Sequence, residues 1–159
     1  MKKLTSALVL LAACHSSPPP AASPAPRPMP AAAIGATGAV DARGAVLAFL
    51  GAVHDQDLQR ISAVWGTKDG SVRETGMARE ELERRELVML CFLRHDRAKV
   101  VSDAPAPDNH RVFAVEITRG GLTRSTNFYV VQGPHSHWFV ENVDVESLQD
   151  LVRRDRCQR

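Results

Sequence analysis

Four residues in the middle of the chain have side chains suited to acid–base chemistry. Asp103, His110 and Glu116 could accept a proton, and Tyr129, the single tyrosine, could donate a hydrogen bond to a developing oxyanion. However, Asp103 and His110 flank a proline turn, where charged side chains are normally solvated, and Glu116 alternates with apolar residues predicted to face inward. Either Phe128 or Tyr129 must face the core, and Phe128 costs less to bury. We therefore predict no catalytic residues.

The sequence His135-Ser136-His137 places two imidazoles close together. A zinc site needs a third or fourth ligand, for which His110 is the candidate. The other interpretation is a polar hairpin turn that binds nothing, and this is the one we adopt. The sequence thus predicts neither a metal nor a cofactor.

The first 13 residues have the pattern of a secretory signal. Lys2 and Lys3 precede an uncharged, mostly apolar segment over residues 4–13. This segment is too short to span a bilayer, which needs about 20 apolar residues. We therefore predict a signal peptide over residues 1–13.

The end of this signal reads Leu11-Ala12-Ala13-Cys14. These residues resemble the bacterial lipobox, in which a peptidase cuts before the cysteine and the cysteine carries lipid. The resemblance implies a lipoprotein anchored through Cys14 without spanning the membrane. In enterobacterial lipoproteins an aspartate after the lipidated cysteine signals retention in the inner membrane, and this chain has His15 at that position. The resemblance therefore implies an outer-membrane protein that faces the periplasm. The alternative is an ordinary secreted protein cut near Ala13.

The charge balance argues against a nucleic-acid partner. The whole chain has 20 basic and 18 acidic residues, a formal net charge of +2. Cleavage after Ala13 would remove Lys2 and Lys3 and leave 18 of each sign. A neutral mature chain has no basic excess with which to neutralise phosphates.

Residues 14–38 are predicted to form a lipidated cysteine followed by a disordered, Pro/Ala-rich tether. Seven of the ten prolines lie between Pro18 and Pro30, and such a segment favours extended polyproline II over a packed core. At about 3.1 Å per residue it could hold a domain roughly 60 Å from its anchor. The alternative is a proline-rich ligand for a partner domain. The folded domain is predicted over residues 39–159.

Two cysteines remain in the predicted mature domain. In an exported protein Cys91 and Cys157 suggest a disulfide, which would close a loop of roughly 65 residues. Because Cys91 lies in an apolar run, the alternative is a buried thiol. We favour the disulfide.

Apolar periodicity predicts three helices in the first half of the domain. Asp41 is the predicted N-cap of the first helix and Asp57 that of the second, which Gly66 would end in a left-handed conformation. A loop follows over residues 67–76. The third helix is predicted from Met77 to His95. Its second half, residues 87–93, is apolar on every side, so we predict that it is fully buried at the centre of the core.

The second half of the domain alternates with a period of two, which indicates strands. We predict strands over residues 98–102, 111–118, 122–132 and 137–145, with a turn over residues 104–109 between the first two. Asp144 could begin a short C-terminal helix. Helices followed by hairpin-connected strands indicate an α+β fold with an antiparallel sheet of three to four strands.

This element order, with the opening helix Val46-Leu47-Ala48-Phe49-Leu50 and with Trp65-Gly66 after the second helix, resembles the nuclear-transport-factor-2-like superfamily. The resemblance is to small bacterial lipoproteins with such a domain of unknown function. It implies a strongly curved sheet that wraps around the helices into a cone. The open end of such a cone often has a pocket, and members often form homodimers through the sheet. Six aromatic residues are predicted to line that pocket: Phe49, Trp65, Phe113, Phe128, Tyr129 and Trp138.

Members of that superfamily include isomerases, dehydratases and many non-catalytic domains, so the fold alone does not decide the function. No acid–base pair of its enzymes matches this chain. We therefore predict a membrane-anchored envelope lipoprotein with a non-catalytic domain, which binds an apolar small molecule, a lipid or an envelope protein. The alternative is a small isomerase- or dehydratase-like enzyme that uses the cone pocket.

Overall fold

The computed structural model describes residues 37–155, so the predicted signal peptide, Cys14, nearly all of the predicted tether and Cys157 lie outside the described residues. The fold is α+β and contains a four-stranded antiparallel sheet. None of the described helices is long and apolar enough to cross a membrane. The elements are α1 (Ala42–Asp55), α2 (Leu58–Val64), β1 (Gly66–Thr67), β2 (Gly70–Ser71), α3 (Arg79–Leu93), β3 (Arg97–Ala106), β4 (His110–Arg119), β5 (Leu122–Gln132), β6 (Trp138–Val143) and α4 (Gln149–Asp155).

Aspartate side chains begin the first two helices, as the sequence predicts. The Asp41 carboxylate accepts a hydrogen bond from the Gly44 amide at 2.7 Å, and Asp57 accepts one from the Arg60 amide at 3.0 Å. Each bond satisfies an amide that has no partner within its helix. Between the two caps, Gln56 ends α1 in a left-handed conformation, so α2 follows after only two residues.

The large sheet has the strand order β3-β4-β5-β6, and each neighbouring pair is antiparallel. The prediction that the first strand ends at Ser102 is wrong, because β3 continues to Ala106 and Pro105 pairs with Arg111. A proline cannot donate to the ladder, but it is tolerated in β3 because this is an edge strand, which pairs on one side only.

Alternation along the strands buries one face of the sheet against the helices. On β4 the side chains of Phe113, Val115 and Ile117 are fully buried, whereas those between them are half-buried on the opposite face. Phe49 of α1 meets Phe128 of β5 edge to face, with ring centroids 6.1 Å apart. The core therefore lies between α1 and the middle of the sheet, and not around the second half of α3, where we predicted its centre.

The prediction that the second half of α3 is fully buried is wrong. Leu87 is 54% exposed and Val88 51% exposed, whereas Leu93 and the charged Glu86 are buried. The helix covers the outside of the core and contacts it along one side only. A helical segment that is apolar on every side would gain free energy from burial on every side. However, no described element packs against the side of α3 that carries Leu87 and Val88.

Gly66 does not end α2 in a left-handed conformation, contrary to the prediction. It is instead the first residue of β1, in a small hairpin within the segment that the sequence predicts as a loop. Glycine is required here for close approach, because a Cβ would lie 2.4 Å from the Gly70 carbonyl oxygen and 2.8 Å from the Phe139 ring. A Cβ at Gly38 would likewise lie 2.7 Å from this ring, and one at Gly133 would lie 2.9 Å from it. The Phe139 ring thus fills a slot that three glycines form.

Candidate functional site

An open cavity of about 350 Å³ lies on the sheet face that points away from the core, beside the turn between β3 and β4. The turn is tight because Asp108 and Asn109 adopt left-handed conformations, which suit these residue types. Cross-strand pairing then aligns Val112, Tyr129 and Asn142 on neighbouring strands. The lining residues are Ala106, Pro107, His110, Val112, Tyr129, Glu141 and Asn142, and we call this cavity the outer groove.

His110 and Glu141 form an ion pair at the edge of the outer groove. The imidazole Nε2 lies 2.8 Å from Glu141 Oε2, and both side chains are about one-third exposed or less. On the other side of the ring, Nδ1 lies 3.1 Å from the Pro107 carbonyl oxygen and 3.0 Å from that of Asp108. The hydrogen bond with Glu141, supported by these carbonyls, raises the pKa of His110.

These contacts determine what His110 can do chemically. Carbonyl and carboxylate oxygens accept hydrogen bonds, so both ring nitrogens donate in the protonated ring, the form that the raised pKa favours. An imidazolium with both N–H groups engaged has no lone pair with which to take a proton from a substrate. His110 therefore joins the β3–β4 turn to β6 and gives the outer groove a firm edge.

The structure brings His110 and Tyr129 to the outer groove, but it does not bring together the three candidate bases Asp103, His110 and Glu116. Asp103 pairs with Arg111 at 2.6 Å, and His110 pairs with Glu141. Glu116 faces away from the core, opposite Ser125. Among residues 37–155, no hydrogen bond or ion pair joins any two of Asp103, His110 and Glu116.

Sequence reasoning missed Glu141, the partner of His110. Glu141 lies at a β-bulge, where the register of β5 against β6 shifts between Tyr129 and Val130. The alternation Phe139-Val140-Glu141 does place this carboxylate on an outer strand face. The strand alternation over residues 139–141, together with the register of the β5–β6 hairpin, could have identified Glu141 as a neighbour of the β3–β4 turn.

The His135-Ser136-His137 segment forms a turn. His135 is exposed with φ 55°, and Nδ1 of His137 lies 2.7 Å from the Thr37 carbonyl oxygen. In the part of the chain that the structure describes, no three His, Cys, Asp or Glu side chains come together as a metal-binding group.

The six aromatic residues considered for a pocket lie in three environments. Phe49, Phe113 and Phe128 are fully buried in the core. Trp65 and Trp138 are half-buried and pack against that core. Tyr129 lines the outer groove, on the sheet face opposite to Phe128.

Glu86 of α3 is a buried carboxylate away from the outer groove. It is 2% exposed, and its Oε1 has no hydrogen-bond partner among the described residues. Burial raises the pKa of this carboxyl above its usual range, and the neighbouring Ser62 hydroxyl opposes that change. The ionised form is therefore the disfavoured form in the folded protein.

Replacing Glu86 by glutamine should raise the free energy of unfolding by about 1 kcal/mol at pH 8 and have little effect at pH 4. Because the pKa of Glu86 is raised by folding, the folded chain holds this proton at pH values where the unfolded chain has lost it. The contribution of Glu86 to stability therefore falls as pH rises from the ordinary carboxyl pKa through the folded value. Urea unfolding at both pH values measures the difference, with Glu80→Gln on the exposed side of α3 as the control. Equal gains at pH 4 and pH 8 would contradict this account.

Comparison with known proteins adds no family. No protein-family model matches the chain, and a search of curated proteins finds none that is similar.

Proposed function

We propose that the chain is an envelope lipoprotein, anchored at the outer membrane through lipid on Cys14, whose folded domain binds a ligand or partner without catalysing a reaction. The observation that supports this function is the outer groove with its saturated His110–Glu141 pair. The groove offers a surface for binding, and both nitrogens of its imidazole are already engaged by oxygens of the protein. The apolar end of the signal and its cysteine support the anchor.

The finer fold assignment is part of the same proposal. We infer that the domain is a nuclear-transport-factor-2-like cone. Its support is the element order, with α1, α2 and α3 before a meander of four antiparallel strands, and the helices on one face of that sheet. The outer groove lies on the opposite face, where a second copy of the chain could also contact the sheet.

The shape and lining of the outer groove suggest the kind of ligand. A volume of about 350 Å³ is at the small end of the range of about 300–1,000 Å³ that small-molecule sites occupy. Ala106, Pro107, Val112 and the Tyr129 ring provide an apolar surface, and the ion pair borders it. A small apolar molecule with one polar group, or an apolar side chain of an envelope protein, fits this arrangement.

An isomerase- or dehydratase-like enzyme is the second candidate function. One observation favours it, because a histidine–carboxylate pair and a tyrosine border the same cavity. The saturation of both imidazole nitrogens argues against it, since the first proton transfer would have to break the Glu141 or turn contact. Binding is therefore the better supported function.

Replacing Tyr129 by alanine should remove a ligand that the wild-type protein retains. Native mass spectrometry of the protein extracted from its own envelope would detect the bound species. Ser125→Ala is the matched control, because Ser125 is exposed on the same strand and face but outside the outer groove. Retention of the species by the Tyr129 variant would contradict binding in the groove, and its chemical conversion on incubation would favour the enzyme.

Replacing Cys14 by serine should release the protein from the membrane fraction and remove the lipid from its mass. The thioether needs the cysteine sulfur, and stable anchoring needs the attached chains. Cell fractionation and intact mass measure both effects, with Ser17→Ala as a control beside the same signal. Membrane fractionation of the Cys14 variant at the wild-type level would show that the anchor is not a lipid on this residue.

A further inference from the structure

Two histidines from different elements meet at one end of the helical layer, away from the outer groove. His54 lies in the last turn of α1 and is exposed, and His95 follows the end of α3 and is half-buried. Their ring centroids are 5.5 Å apart and their planes are tilted by 39°. With metal–nitrogen bonds of about 2.0–2.1 Å, two imidazoles on one metal ion have centroids roughly 4.5–6.5 Å apart, depending on the angle between the two bonds.

The hydrogen bonds of the pair leave ligand nitrogens available. Nδ1 of His95 lies 2.8 Å from the Leu93 carbonyl oxygen. A carbonyl only accepts, so in the neutral ring Nδ1 carries the proton and Nε2 has the lone pair. A backbone carbonyl that orients the ring in this way is the usual second partner of a metal-binding histidine. His54 forms no hydrogen bond within residues 37–155.

The local charge favours a cation. The pair lies at the C-terminal end of α1 and just beyond that of α3, where helix dipoles place partial negative charge. Arg119 donates to the Cys91 carbonyl near the end of α3 and offsets part of this charge. Asp96 is the sequence neighbour of His95 and adds a carboxylate, whose Oδ2 accepts a hydrogen bond from the Gly120 amide, whereas Asp55 is paired with Arg60 at 2.6 Å.

We propose that His54 and His95 bind one divalent late transition-metal ion, Cu²⁺ more tightly than Zn²⁺, with water in the other coordination positions. The described residues offer no group of three or more metal ligands, so the four-ligand site that structural zinc prefers is not present there. Two imidazoles bind Cu²⁺ most strongly among the first-row divalent ions. This site is independent of the function proposed for the outer groove.

The test is titration of the untagged, purified protein with CuCl₂, followed by calorimetry and by electron paramagnetic resonance. The double variant His54→Gln/His95→Asn should bind one equivalent of Cu²⁺ less than the wild type and lose the signal of two coordinating nitrogens. Each single variant should weaken this equivalent at least tenfold. The asparagine amide in the His95→Asn substitution keeps an N–H donor for the Leu93 carbonyl, so the variant tests ligation more than folding. His135→Gln is the control, because that imidazole is exposed in another part of the fold.

Three outcomes would overturn the site. The double variant could bind as many equivalents as the wild type with an unchanged spectrum. His54→Gln alone, at an exposed position where folding is not at risk, could keep full affinity. Alternatively, His135→Gln could remove the same equivalent, which would place the ion in the turn before β6. Thermal unfolding followed by circular dichroism confirms that each variant is folded.

Discussion

Replacing Gly66 by alanine should lower the free energy of unfolding by about 3 kcal/mol and the melting temperature by roughly 10–15 °C. The new Cβ would lie 2.4 Å from the Gly70 carbonyl oxygen and 2.8 Å from the Phe139 ring. The first of these contacts is with backbone in a two-residue strand pair, so no side-chain rotation relieves it. The hairpin must open, or β6 must move away from it.

Gly51→Ala is the matched control for this substitution. Gly51 lies within α1, and a Cβ there would have only the end of the Arg60 side chain nearby, at 3.7 Å. Alanine in a helix interior should raise stability by about 0.5–1 kcal/mol. Urea unfolding followed by circular dichroism compares the two variants. Similar effects of the two substitutions would show that the Phe139 slot is not tightly packed.

The Phe139 slot also links stability to the outer groove. Phe139 and Glu141 are two residues apart on β6 and share a strand face, and Glu141 holds His110. A shift of β6 away from Gly66 would therefore lengthen the contact between His110 and Glu141. We expect the pKa of His110 in the Gly66 variant to fall towards its ordinary value, which proton NMR of the imidazole measures.

Features that depend on neighbouring residues in the sequence were predictable. Asp41 and Asp57 cap helices because an aspartate before an apolar period can satisfy the first amides locally. Phe113, Val115 and Ile117 face the core because side chains alternate along a strand. Both predictions can be made without knowing which other element packs against the helix or the strand.

Features that depend on tertiary contacts were not predictable from the same patterns. Leu87 and Val88 are exposed because no described element covers that side of α3, and hydropathy does not report the number of neighbours. Glycine is needed at position 66 because Gly70 and Phe139 lie too close for a side chain, and not because the backbone there is left-handed. The His110–Glu141 pair spans strands whose register contains a bulge, which alternation alone does not locate.

Replacing Cys157 by serine should lower the free energy of unfolding by about 4 kcal/mol, because a disulfide that closes a loop of roughly 65 residues restricts the unfolded chain by about that amount. Cys91 is disulfide-bonded in the structure, and the other two cysteines lie outside the described residues. If Cys14 carries a thioether-linked lipid, its sulfur cannot also form a disulfide. The pairing of Cys91 with Cys157 therefore remains our prediction.

Alkylation under non-reducing conditions, followed by mass spectrometry, tests this pairing together with urea unfolding. In the Cys157→Ser variant, Cys91 should become alkylated once the protein is unfolded, and Cys91→Ser should show a similar loss of stability. Gln158→Ser is the control, because it changes the residue next to Cys157 and leaves the sulfur of Cys157 available for the disulfide. If Cys91 stays protected from alkylation in the Cys157 variant, its partner is Cys14. A lipid thioether on that cysteine would then be excluded, so this one measurement also bears on the proposed anchor.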